Sequence, residues 1–213
     1  MTAAAVRAAR RGAIGVGRTR VPLRPFYLGI LLLLYLPIGI LFVFSFNAGT
    51  TLSFPLDGLT LDWYASVFGN SAMLDAARNS LVVGVGSATL ATTLGSLVAL
   101  AVLRFRFRGR TALLALAGMP LIVPFVVLGV AFFLLFVALD LPRSLLTVGI
   151  GHTVIAIPYA TLIVLSRLSG LDPALEDAAM DLGATYPMTL RRVVLPLMAP
   201  TLLSAWLTCF IVS

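Results

Sequence analysis

The sequence predicts an all-α integral membrane protein, and three observations carry that prediction. Of 213 residues, 60% are hydrophobic and 11% charged, with a mean hydropathy of +1.07; a soluble domain holds about 45–50% apolar and about 25% charged residues. The apolar residues gather into windows of the length a helix needs to cross a hydrocarbon core, about 20 residues. The fifteen cations are all arginine, and most of them fall in alternate connections between those windows, as the positive-inside rule requires.

Five windows qualify as spans: 26–46, 80–103, 112–139, 147–166, and 195 to the end. Residues 1–25 form a basic arm ahead of the first. Its apolar core of about 20 residues exceeds the 7–15 of a secretory h-region, and no small-residue cleavage site follows, so it reads as a retained span. Arg7, Arg10, Arg11, Arg18, Arg20 and Arg24 precede that span, Arg104, Arg106, Arg108 and Arg110 follow the second, and Arg167, Arg191 and Arg192 lie between the fourth and fifth. Only Arg78 and Arg143 fall in the opposite connections. The N-terminus, the RFRFRGR turn and the 167–194 connection are therefore assigned to the cytoplasm. Alternating Arg and Phe would also suit a nucleic-acid surface. Beside a span it reads instead as an interfacial turn, and the basic arm as a topology determinant at the lipid bilayer. No nucleic-acid partner is expected.

On the far side, 47–79 is the longest connection. Its LTLDWYASVF stretch carries Thr60 as a helix cap, Asp62 in the first turn, and Leu61, Trp63, Tyr64 and Phe68 as interfacial anchors, the pattern of a short helix lying on the membrane surface. The final window stops at WLTCFIVS without the polar flank that normally closes a span. The chain thus reads as C-terminally incomplete, with a sixth span expected beyond the end given.

Catalytic chemistry is poorly supplied. With no lysine the chain has no P-loop, so any ATP and Mg²⁺ belong to another chain. Cys209 is the only cysteine, which leaves neither an internal disulfide nor a cysteine metal cluster. His152 is the only histidine; it lies near the outer start of the fourth span and reads as a neutral ring bonded to backbone. No HExxH is present, so neither metal ligands nor catalytic residues are assigned. The spans carry small residues and prolines instead: GVGSATLATTLGS in the second, MPLIVPFVVLG in the third, IPYA in the fourth. Small residues let helices approach closely, and prolines free carbonyls that can line a cavity.

The connection between the fourth and fifth spans departs from this apolar background. Asp172-Pro173 is a helix start, with Glu176 and Asp177 in the first turns, where the helix dipole favours negative charge. Leu175, Ala178, Ala179 and Leu182 recur on one face, and Gly183 supplies a left-handed C-cap. After Ala184-Thr185-Tyr186, Pro187 opens a second short helix that carries Arg191 and Arg192 to the membrane edge before Leu195-Pro196 re-enters the bilayer. This helix, turn and helix cannot bury its own apolar face, so a partner surface is implied.

Asp177-Ala178-Ala179, three residues, Gly183, nine residues and then Val193-x-Leu195-Pro196 resembles the EAA motif of the membrane subunits of type I ABC importers. Asp stands here for the usual Glu and Val for the usual Ile. Asn79-Ser80-Leu81, the RFRFRGR turn and the proline-rich third span extend the resemblance over most of the chain and give it a polyamine (spermidine/putrescine) permease character. The resemblance implies a MetI-like transmembrane fold in the bacterial inner membrane and a role in passing a small solute inward. It also implies that residues 167–194 form the loop that couples to the ATPase, with Glu176, Asp177, Ala178, Ala179, Gly183, Ala184, Thr185, Tyr186, Pro187, Leu195 and Pro196 as the coupling residues. In that family Asp177 would orient the loop, Gly183 would permit its turn, and Tyr186 would insert among the partner's residues. The implied partners are a second, related permease, two cytoplasmic ATP-binding subunits and an extracytoplasmic solute-binding protein.

The substrate stays open at this point. Polyamine carriers often place an acid after the second proline of the third span, where this chain has Phe125; an aromatic face also serves a cation. Thiamine, iron and aminophosphonate permeases share much of the pattern. An ATPase-independent channel and a membrane-embedded enzyme are more distant alternatives.

Overall fold

A computed structural model of the chain describes residues 23–213; the arginines of the basic arm other than Arg24 lie outside them. Among the described residues the regular structure is helical, apart from one isolated antiparallel bridge between Asn47 and Leu59. They fall into two compact units, one ending at Asn70 and one running Ser71–Ser213.

The first unit holds α1 (Leu23–Phe44) and α2 (Asp62–Gly69). With 22 residues, α1 is about 33 Å long at 1.5 Å per residue and matches a hydrocarbon core. Between the helices the chain is organised by the fully buried Asn47, whose side chain donates to Thr51 O (3.2 Å) and accepts from Asp57 N (2.9 Å). Its carbonyl accepts from the Trp63 indole at 2.8 Å. A short helix is present in LTLDWYASVF, with Leu61 and not Thr60 at its N-cap; the Thr60 hydroxyl accepts from Asp62 N at 3.0 Å just ahead of it.

The second unit holds α3 (Ser71–Arg104), α4 (Arg110–Gly118) with a 3₁₀ turn (Met119–Leu121), α5 (Phe125–Ala138), α6 (Leu145–Ser169), α7 (Ala174–Asp181), α8 (Tyr186–Thr189) and α9 (Leu195–Val212). At 34 residues, α3 is about 51 Å long, well beyond the bilayer core. The helix therefore begins nine residues before the second window, and 71–79 belongs to a helix and not to a loop. Around α3 pack α6 and α9, and their contact surface is built from small residues. Ala88, Ala91, Ala99, Ala156, Ala160, Ala205 and Cys209 have no exposed surface. A Cβ on Gly95 would stand 2.7 Å from Ala160 Cβ and 2.8 Å from Thr161 N. Close backbone approach of this kind holds membrane helices together by dispersion, since lipid gives no hydrophobic drive.

The third window, expected as one span, is broken. The Arg110–Leu121 and Phe125–Ala138 segments meet at 105°. Pro120 and Pro124 lack amide donors, and a residue before proline is pushed out of the α region; Pro124 itself is extended at ψ 136°. In the fourth span, Ser144 and Thr147 cap α6 reciprocally, with Ser144 N donating to Thr147 Oγ1 at 3.1 Å, so the helix starts at Leu145, two residues before the window.

Candidate coupling loop

The loop between α6 and α9 follows from its local sequence. Past α6, Leu171 packs on the apolar core, and Asp172 Oδ1 accepts from Ala174 N at 3.0 Å. Pro173 has helical angles (φ −58°, ψ −27°) and stands at the N-cap of α7, one residue later than the Asp172 cap expected from the sequence. The helix ends in a Schellman arrangement: Gly183 N donates to Met180 O (2.9 Å), Ala184 N donates to Ala179 O (3.1 Å), and Gly183 takes φ +87°. Thr185 is extended, and Tyr186-Pro187 opens α8. The chain then does not pause before the bilayer. A π turn (Leu190–Val194) carries α8 into α9, with Leu195 N bonded to Leu190 O, so that Tyr186–Val212 is one apolar helix. The wider turn sits where the Pro196 ring would otherwise crowd the Arg192 carbonyl.

Most of the residues implied in coupling cluster on this one knuckle. Asp177, Ala178 and Leu175 are exposed on α7, as is Leu182, at 90%, just past its end. Ala179 is half-buried, so the apolar face expected as one stripe is divided between the chain and its surroundings. Ala184 and Thr185 form the turn and Pro187 lies in the first turn of α8, while Leu195 and Pro196 open α9 some distance along the helix.

Two residues turn inward. Glu176 Oε1 accepts from Arg104 Nη2 at the end of α3, and the two side chains are 12% and 20% exposed. The Tyr186 ring sits edge-on to Phe105, centroids 6.2 Å apart at 80°, and its hydroxyl is out of solvent. The resemblance gives Tyr186 a place among the partner's residues; within this chain its ring lies against Phe105. Arg104 and Phe105 were read from the sequence only as parts of an interfacial turn, because no local pattern announces a partner 72 residues away.

A second polar feature lies in the helices. His152 Nδ1 bonds Ser213 Oγ at 2.8 Å, and Ser213 Oγ bonds Ser87 Oγ at 2.8 Å. The expected backbone partner of His152 is thus a hydroxyl. Asn79, Ser80, His152, Phe210 and Ser213 line a cavity of about 350 Å³ there. Among the described residues no cluster of three or more metal-ligating side chains occurs.

Residues 91–213 match the family described as binding-protein-dependent transport system inner membrane component. The chain belongs to that family. The permease is 35% identical over 180 residues to the spermidine/putrescine transport system permease protein PotC of Haemophilus influenzae, covering 84% of this chain and 70% of that one. It is 35% identical over 200 residues to the putrescine transport system permease protein PotI of Escherichia coli K12, covering 89% and 71%. In fold it is similar to a bacterial alginate ABC transporter solved in complex with an alginate pentasaccharide-bound periplasmic protein. The TM-score is 0.63 at 20% identity, over 86% of this chain and 67% of that one. The permease is therefore a multi-pass, all-α membrane subunit of an importer.

Proposed function

We propose that the permease carries a polyamine or a related small amine from an extracytoplasmic binding protein into the cytoplasm, driven by ATP hydrolysed on two separate cytoplasmic subunits. The observation that supports the substrate class is similarity to two named polyamine permeases over more than four fifths of the chain. The drive is argued from the loop. A capped helix with acids in its first turn and exposed Leu175 and Leu182 is a ready surface for a partner groove. Arginine placement puts that loop in the cytoplasm, with the N-terminus on the same side. Asp177 orients the loop in the groove, and Gly183 permits the turn. ATP and Mg²⁺ bind on the partner subunits, whose closure moves the loop and, through α6 and α9, the helices that pack on α3. A second, related permease completes the path. Residues 167–194 act as the coupling segment of a transmembrane domain that begins at 26.

The test is co-expression with the neighbouring permease, ATPase and binding-protein subunits, followed by uptake into ATP-loaded proteoliposomes. Spermidine or putrescine is expected to accumulate and to stimulate ATP hydrolysis. Accumulation of thiamine, chelated iron or an aminophosphonate instead would replace the substrate class while keeping the importer. Uptake without the ATPase would overturn the drive.

A further inference from the structure

We infer that Arg104 is a positioning residue for transport: its ion pair with Glu176 is the point at which movement of the coupling helix enters the longest span. The inference rests on the importer reading above and adds a route that the EAA motif does not contain.

The loop is joined covalently to α6 and α9, which pack on α3; a side-chain link from the loop to α3 gives that span a second and direct attachment. Two such links occur side by side. Arg104, the last residue of α3, holds Glu176 in the first turn of α7. Phe105, the next residue, meets Tyr186 in the first turn of α8. One attachment lies before the Gly183 turn and one after it, so together they fix both limbs of the knuckle to the end of α3. The Arg104–Glu176 pair is the one ion pair among the described residues. The remaining acids of α7, Asp177 and Asp181, are exposed, which leaves Glu176 as the acid that faces the chain. A largely shielded charge pair is weakly screened, and breaking one partner leaves a charge without compensation. The link therefore holds as the loop moves, and α3 travels with it. Asp177, the acid at the leading motif position, stays available for an outside partner. Adjacent acids thus divide the work, one facing outward to the source of force and one inward to the span that receives it.

The experiment uses the assembled transporter in proteoliposomes and reads spermidine uptake and ATP hydrolysis together. Arg104→Glu and Glu176→Arg are each expected to cut uptake per ATP hydrolysed by about tenfold, a normal size for a coupling effect. The combined exchange is expected to restore most of it. Single reversals with unchanged coupling, or an exchange no better than either single change, would overturn the inference. Should a reversed-charge protein fail to assemble, an Arg104→Cys/Glu176→Cys pair in a Cys209→Ala background decides the matter. It is expected to be poorly coupled until a short bifunctional maleimide joins the two positions, and to regain uptake afterwards. Loss of uptake on cross-linking would mean that the two groups must separate, and would also overturn it. Failure of the importer reading looks different, because the unaltered assembly would then show no ATP-driven uptake at all.

Discussion

Gly183 shows what a single residue contributes here. Its φ of +87° is a region that L side chains enter at a cost, yet a Cβ built there meets no atom within 4 Å. The penalty for a larger residue is therefore conformational and not steric, about 1–3 kcal/mol for a β-branched side chain. Gly183→Val is expected to be inserted in the membrane but to lose most ATP-driven uptake, whereas Gly183→Asn, which tolerates left-handed backbone, should retain it. Uptake assays on equal amounts of membrane protein separate the two. Gly183 was legible in the sequence because the αL requirement is local. The partner of Glu176 was not, since a carboxylate in a first helical turn is already accounted for by the helix dipole, and only the folded chain brings Arg104 to it. His152 lies between these cases: its place in an apolar span marked it out, but its hydroxyl partner comes from another helix.

At the scale of elements, the contact between α3 and α6 depends on missing side chains. Gly95→Leu would force its new Cβ against the Thr161 backbone, which cannot yield as a flexible side chain can. Overpacking of this sort costs about 1–3 kcal/mol, so the detergent-solubilised variant should melt several degrees lower. Gly86→Ala on the same helix, where nothing lies within 4 Å, should melt unchanged or slightly higher, because alanine is the better helix former. Small-residue spacing announced close packing, and the prolines of the third window announced a bend. The 105° angle of that bend was beyond the sequence: a proline removes one hydrogen bond and restricts its neighbour, but the direction of departure depends on what the two helices pack against. The π turn before α9 went unread for a related reason, as Pro196 can be accommodated by a break or by a wider turn and hydropathy is the same in both.

Across the whole molecule, arginine placement makes a topological prediction. In a chain whose own Cys209 is fully buried, Ser53→Cys should react with a membrane-impermeant maleimide in intact spheroplasts, and Asp181→Cys only after permeabilisation. The reverse pattern would put the loop on the wrong side for an ATPase. The sequence by itself determined the class of fold and the approximate spans, and it carries the expected orientation and the resemblance to a coupling motif, because each follows from properties summed along a stretch of chain: transfer of apolar length into lipid, the distribution of charge at its ends, and local backbone preference. The tertiary structure alone decided which residues meet. The Arg104–Glu176 pair, the contact of Phe105 with Tyr186 and the His152–Ser213–Ser87 chain each join groups far apart in sequence, and such pairings depend on how helices cross, which no local pattern encodes.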